Sequence, residues 1–525
     1  MARLRRAARA VDDNAACPAA VLLPALLARI WALLPLHTRF ACACVCRAWR
    51  DAAASPEAWL SLHLRGVPHA CATNALLIAA ATRAAGELQT LDLGGWPWLL
   101  RSLFDEARLA PFVAIHGAAL RDLRAPRRLG ADDVSTLLRN APRLRALQTD
   151  VKCDYDEARA MLRGEEPYNG ALRLQCLCVG LDGEAPAALL TDLEACPFPP
   201  TGLRIREAAL DAAGALDSLL DTVRTMRLRT LGLVHCALPV NAEACDALGR
   251  LLFCRDCVVT RLELVAMDSL LNTEVDAESL GVALTRTRTL TTLELREMRL
   301  WEAEPEVGAF LLGVLTVHPS LRTLILADEI PADEETLIGY TLGQFITDAE
   351  RLLTLDVSGC NLGFDGLRPL LEALPRAQHL RALVLDQVHL YAESSDEDDS
   401  EYADADAEEF YESVLLPAVR SNTSLWRLRA WPGCHRGAVG QATRLVKERR
   451  LAAGIECLAD VGVEFGEFTD DDEASESDSE ALSAWEAGDD SALELVPEEL
   501  PPVVADSCIG NHPWMQAFDF PPLEQ

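Results

Sequence analysis

A short pattern, Leu-x-x-Leu-x-Leu, returns at a fixed interval through the middle of this 525-residue chain. LRTLGL from Leu228, VTRLEL from Val259, LTTLEL from Leu290, LRTLIL from Leu321 and LLTLDV from Leu352 start 31 residues apart. LQTLDL from Leu88 and LRALVL from Leu380 are further full copies, and weaker ones start at Leu120, Leu144, Leu174, Pro200 and Leu425. A period of this length means stacked units, because one such unit cannot bury its apolar face alone. The two-residue strand period turns the Leu residues at the fourth and sixth positions to one side. The rest of a unit reads as helix. After a turn at Asn361 and Gly363, Leu367, Leu370, Leu371 and Leu374 form an apolar helical stripe, and Leu280 and Leu284 repeat the i, i+4 spacing. Strands linked by helices run parallel. The expected fold class is α/β, a repeat solenoid with a parallel sheet and outer helices.

The units resemble leucine-rich repeats of the ribonuclease-inhibitor-like group, over roughly Leu88 to Leu428. Cys236 and Cys360 stand where that family carries an Asn or Cys whose side chain satisfies turn backbone groups, and Met298 and Val388 replace it elsewhere. The resemblance implies a horseshoe with its strands on the concave face. Residues at the fifth position of each pattern then face outward from the core: Asp92, Gly232, Glu263, Glu294, Ile325, Asp356 and Val384. Glu263 and Glu294 fall on adjacent strands, about 5 Å apart, and like charges that close need compensation. Arg261 and Arg296 flank them diagonally. Two readings follow: a self-neutralised charge ladder, or a concave patch of Asp92, Arg261, Glu263, Glu294, Arg296 and Asp356 that takes a basic segment of a protein substrate.

The formal charge is −33, from 81 acidic and 48 basic residues. Such a chain repels phosphate backbones, so nucleic acid is an unsuitable partner. Much of the acid lies in two runs, ESSDEDDSEYADADAEE from Glu393 to Glu409 and DDDEASESDSE in the tail. Runs of this kind do not collapse. An acidic disordered insert at 391–411, a disordered tail at 466–525 and a disordered start at 1–17 are expected. Ser394, Ser395, Ser400, Ser475, Ser477 and Ser479 suit acid-directed kinases, and Trp514, Phe518 and Phe520 look like anchors of a docking motif. Seventeen scattered cysteines fit a reducing compartment. Pro24 and Arg29 interrupt the apolar stretch 19–36, against a signal peptide or membrane span. A cytoplasmic or nuclear location is expected, without membrane attachment.

Ahead of the repeats, Leu22 to Leu64 reads as three helical pieces. Leu26, Leu27, Ile30, Trp31 and Leu34 fit one helix face, and Pro35 stops that helix. His37 to Ala53 carries Phe40, Cys44, Val45 and Trp49 at helical spacing; Ser55 reads as an N-cap and Pro56 as a first helical residue. A trio this small needs something to pack on, either the solenoid or a partner. The stretch resembles an F-box. The match runs through Leu23-Pro24, Ile30-Trp31, Leu34-Pro35 and Val45-Cys46-Arg47-x-Trp49-Arg50, closing with Pro56 and Trp59. The resemblance implies an F-box at 18–65, with Leu23, Pro24, Leu27, Ile30, Trp31, Leu34, Val45, Cys46 and Trp49 facing a Skp-type adaptor or forming the core. Leucine-rich repeats, here 66–465, directly behind an F-box are a known architecture. It implies a substrate receptor of a cullin–RING ubiquitin ligase, which does no chemistry but raises the local concentration of substrate.

No enzyme motif competes with that expectation. Cys254-Arg-Asp-Cys257 is a CxxC without a second ligand pair, and no Gly-rich phosphate loop or GxSxG elbow occurs. No metal or other cofactor is expected. The alternatives are a Ran-type GTPase-activating repeat protein, which shares the repeats and the acidic tail, and a plain scaffold whose helical trio is only the cap that solenoids need.

Overall fold

The structure, a computed structural model, describes residues 24–34, 36–42, 47–64, 74–93, 112, 114–125, 129–166, 168, 172–184, 186–212, 214–239, 241–267, 270, 274–301, 305–328, 330–331, 334–360, 362–385, 409–430 and 437–453. They form two compact units, one reaching Arg121 and one within Asp122–Phe465. The expected boundary at 65/66 does not separate them. Leu23, Pro35, Val45, Cys46, Asn361, Val388, the acidic run to residue 408 and the tail lie outside the described residues. Glu409–Tyr411, expected in the insert, are instead helical.

The first unit opens with α1 (Pro24–Ala32), α2 (Leu36–Cys42), α3 (Arg47–Ala54) and a 3₁₀ turn at Pro56–Trp59. β1 (Ser61–His63), α4 (Asn74–Arg83) and β2 (Thr90–Asp92) follow, with β1 and β2 paired in parallel. Of the helix expected over His37 to Ala53, the described residues 37–42 and 47–53 are helical. Pro56 does begin its turn, but Ser55 makes no side-chain cap, because its hydroxyl goes to Glu57 instead. α1 packs on the 3₁₀ turn and on α3, and α4 packs on the same turn. The trio's support is therefore α4: Arg83 lies over the rings of Phe40 and Trp59, at 4.7 and 5.2 Å from their centroids. Trp59 is fully buried and donates its indole N–H to the Ala53 carbonyl at 2.6 Å.

At the centre of this unit sits a buried cation. Arg39 is 1% exposed and donates to the carbonyls of Ala32, Leu34 and Ser61 at 2.8 Å each and of Ala58 at 2.9 Å. Two of these carbonyls lie at the end of α1, where the helix leaves acceptors without internal donors. The planar fork of a guanidinium is suited to such divergent acceptors. Burial lowers the Arg39 pKa to about 10, which still leaves it charged at neutral pH.

The second unit is an open parallel sheet whose strands alternate with helices, a solenoid-like arrangement. Its strands are β3 (Asp122–Arg124), β4 (Leu129–Gly130), β5 (Ala146–Cys153), β6 (Arg173–Gly180), β7 (Gly202–Arg206), β8 (Thr230–Val234), β9 (Arg261–Val265), β10 (Thr292–Arg296), β11 (Thr323–Ala327), β12 (Thr354–Asp356), β13 (Ala382–Leu385) and β14 (Arg427–Ala430). From β5 onward they pair in chain order; β3 and β4 both pair with β5. The helices are α5 (Ala131–Asn140), α6 (Tyr155–Arg163), α7 (Ala187–Ala195), α8 (Ala215–Thr225), α9 (Asn241–Phe253), α10 (Glu274–Arg286), α11 (Pro305–Leu315), α12 (Glu335–Asp348), α13 (Gly363–Ala373), α14 (Leu416–Ser421) and α15 (Gly437–Ala452).

The register follows the 31-residue step. Leu231, Leu262, Leu293, Leu324 and Leu355 stand opposite one another on successive strands, each fully buried. The weaker copies are strands as well, from β3 through β7 and at β14. After β7 to β10 the chain leaves the sheet at an equivalent place: Glu207, His235, Ala266 and Glu297 all adopt φ between 51° and 55°. This left-handed conformation is costly for non-glycine residues; at the corresponding place after β12, Gly359 takes it with φ 83°. One residue on, Cys236 donates its thiol to the Ile205 carbonyl at 3.5 Å and Cys360 to the Leu326 carbonyl at 3.4 Å, both on the preceding strand. The two thiols thus satisfy strand carbonyls rather than the turn groups expected, and burial raises the Cys360 thiol to about 12. Met298 fills the equivalent place as a buried apolar residue. The helices close behind the sheet. Leu367, Leu370, Leu371 and Leu374 are buried, and at Gly339 of α12 any Cβ would strike the Gly366 carbonyl of α13.

Candidate functional site

Two surfaces were expected to carry function, and the structure treats them differently. On α1 the apolar residues divide into two neighbouring stripes rather than one face. Leu27 and Trp31 are buried at 3% and 1% exposure, and Leu34 is half-buried. Leu26, Ile30 and Leu33 are exposed at 46%, 42% and 85%. Steps of about 100° per residue put positions 26, 30 and 33 beside, not on, the stripe holding 27, 31 and 34. Of the positions expected to face an adaptor or form the core, Leu27 and Trp31 are therefore core, whereas Ile30 stands outside. Leu26 and Leu33 complete its stripe; the i, i+4, i+7 spacing with Ile30 was the available signal.

Trp49 is half-buried on α3, and its ring meets Trp31 edge-on at 5.8 Å. Neither indole N–H finds a hydrogen-bond acceptor among the described residues. Trp49 thus supports Trp31 from behind. Pro24 begins α1, while Leu23, Val45 and Cys46 lie outside the described residues.

The second surface is the fifth-position row of the strands. Glu263 and Glu294 are direct neighbours in register, as expected, but they are not exposed: their exposures are 3% and 2%. Arg204, on β7, reaches Glu263 on β9 with two guanidinium contacts, one of them at 2.6 Å. Its other side meets Asp150 on β5. Arg261 bridges Glu263 and Glu294, lying 3.0 Å from the latter, and Arg296 contacts Glu294 at 2.6 Å. Asp150, Arg204, Glu263, Arg261, Glu294 and Arg296 form a ladder of alternating sign and zero net charge. Charges buried at these depths persist only when paired in this way.

Gly232 explains how Arg204 crosses a whole strand. It pairs with Arg204 on one side and Glu263 on the other, and an added Cβ would lie 2.6 Å from Arg204 Cγ. The arginine stem runs over β8 through the space that a side chain would fill. Arg204 and Asp150 were missed by the sequence reading, although Arg204 is the fifth residue of the weak copy PTGLRI.

Of the two readings of this row, the arrangement matches the self-neutralised charge ladder: the central carboxylates are paired with arginines of the same sheet. Asp356 is 9% exposed, separated from Glu294 by Ile325, and its Oδ1 accepts the Ser358 N–H at 2.9 Å. Asp92 belongs to the first unit, where His63 Nδ1 stands 3.6 Å from its carboxylate. Among the described residues no group of three or more His, Cys, Asp or Glu is arranged to hold a metal ion. No described helix is long and apolar enough to cross a membrane. In comparisons with known proteins, no family model matches the chain and no curated protein matches it.

Proposed function

We propose that this protein is the substrate-recognition subunit of a Skp–cullin–F-box ubiquitin ligase, with its helical trio docking on a Skp-type adaptor and its repeat unit binding the protein substrate. The observation that carries the reading is the stripe Leu26–Ile30–Leu33. Three large apolar side chains face solvent, Leu26 and Ile30 on α1 and Leu33 in the turn that follows it, in a module whose own core holds Leu27, Trp31, Phe40 and Trp59. A contiguous exposed apolar stripe marks an interaction surface more often than chance exposure does. The F-box resemblance around Ile30-Trp31 and Cys46-Arg47-x-Trp49-Arg50 names the adaptor as its occupant.

The test is co-expression of the full chain with a Skp-type adaptor and a cullin. The wild-type chain is expected to co-purify with both, and a chain carrying Ile30→Asp and Leu33→Asp to lose both while unfolding at the same denaturant concentration. Failure of the wild-type chain to bind ends the ligase reading in favour of a scaffold. Binding that survives in the variant moves the docking surface elsewhere. Clients are then sought among proteins held by the wild-type chain and by the adaptor-blind variant alike.

A further inference from the structure

The CxxC that the proposed function leaves unused has a specific arrangement. Cys254 and Cys257 follow the last residue of α9 and are the first and fourth residues of a tight turn, closed by the Cys257 N–H donating to the Cys254 carbonyl at 3.1 Å. A β-turn brings its end Cα atoms within about 7 Å, and disulfides span Cα separations of about 4.4–6.8 Å. The two thiols differ in their surroundings. Cys257 is 4% exposed and burial raises its pKa, so it is protected from reagents in solution. Cys254 is half-buried, and its interaction with the nearby Arg224 helps raise the pKa of that guanidinium, whose hydrogen bond goes to Asp221 at 2.9 Å. Partial exposure makes Cys254 the one of the two thiols that a reagent in solution can reach.

We propose that Cys254 and Cys257 form a peroxide-responsive dithiol, in which Cys254 is the attacking cysteine and Cys257 the resolving one. The Cys254 thiolate attacks one oxygen of hydrogen peroxide. The O–O bond breaks, the sulfur is oxidised to sulfenic acid, and the departing hydroxide takes a proton to become water. The Cys257 sulfur then attacks the sulfenic sulfur, an S–S bond forms, and the leaving hydroxide takes the Cys257 proton as a second water. Two thiols and one peroxide thus give one disulfide and two waters. Closure requires the Cys257 sulfur to turn out of its pocket, so the bond would reshape the connection between α9 and β9. A thiol reductant reverses it.

Cys196 supplies the internal control. It is also half-buried, but no second cysteine lies within its own turn, ACPFPP. The experiment treats the reduced full-length protein with hydrogen peroxide, blocks remaining thiols and maps peptides by mass spectrometry without reduction. The expected wild-type product joins Cys254 to Cys257, lighter by two hydrogens, while Cys196 remains alkylated. Cys257→Ser is expected to leave Cys254 as a sulfenic acid that a dione probe captures. Cys254→Ser should leave Cys257 unoxidised. Wild-type Cys254 stopping at sulfenic or sulfinic acid without a disulfide overturns the pairing. So does a bond from either cysteine to another partner, or no oxidation of either before Cys196.

Discussion

The helical trio and the strand ladder both bury arginine, in opposite chemical company. Arg39 is surrounded by neutral carbonyls at a helix end and a turn, and no carboxylate is recorded among its hydrogen-bond partners. Arg204 lies between Asp150 and Glu263, and the alternation continues through Arg261, Glu294 and Arg296. The first arrangement joins elements separated in sequence and leaves an apolar stripe facing outward. The second neutralises a sheet face and leaves its central carboxylates without charge to offer. A row of acidic residues in a repeat is thus a poor guide to a binding patch until the neighbouring strands have been counted. An exposed apolar stripe on a well-filled module is the better one.

Breaking the ladder should have the largest effect. Arg204→Met removes the buried cation between Asp150 and Glu263, leaving Arg261 as the arginine still paired with Glu263, and is expected to cost about 3–5 kcal/mol in urea unfolding. A cost below 1 kcal/mol would mean that Glu263 is satisfied without Arg204. Gly232→Ala attacks the same contact from the strand between, displacing the Arg204 stem, with an expected loss of about 1–3 kcal/mol.

His318 adds a pH arm within the repeat unit. It is 3% exposed, its Nδ1 accepts the N–H groups of Ser320 and Leu321 at 3.2 and 3.0 Å, and burial lowers its pKa to about 4. Between the ordinary value of about 6.5 and 4 the unfolded chain holds a proton that the folded chain refuses. The stability it contributes is therefore complete above about 6.5 and lost as pH falls to 4, by up to about 3 kcal/mol. The difference between wild type and His318→Asn, which keeps an acceptor without the titration, should show that slope in denaturation measured across the window.

Breaking the clamp in the first unit comes next. Arg39→Lys keeps the charge but cannot reach four divergent carbonyls, and about 2 kcal/mol of stability should go with the lost bonds. The smallest effect on folding is expected from Ile30→Asp with Leu33→Asp, within about 0.5 kcal/mol of wild type. The same pair should produce the largest change in adaptor capture, and that contrast between fold and binding sharpens the distinction drawn above.

The 31-residue period legibly placed β8 to β12 in register, because a parallel stack requires equivalent residues to face each other. Leu280, Leu284, Leu367 and Leu371 were legible as helix cores from their spacing. Glu263 and Glu294 were correctly seen as neighbours with Arg261 and Arg296 beside them, but their burial was not. That depended on Arg204 two strands away, in a weaker copy of the pattern, and on the absent side chain at Gly232. On α1 the spacing showed an apolar helix, while the choice of which stripe lies inward was made by the 3₁₀ turn and α3 with its Trp49.

The amino-acid sequence by itself determined the repeat, its parallel strands and the existence of a helical module, since these depend on periodicity along the chain. The tertiary structure alone decided which charges meet and which apolar residues remain outside. Those outcomes rest on distances between residues far apart in sequence, and at a few ångströms in a dry interior such distances turn a repelling pair into a neutral ladder.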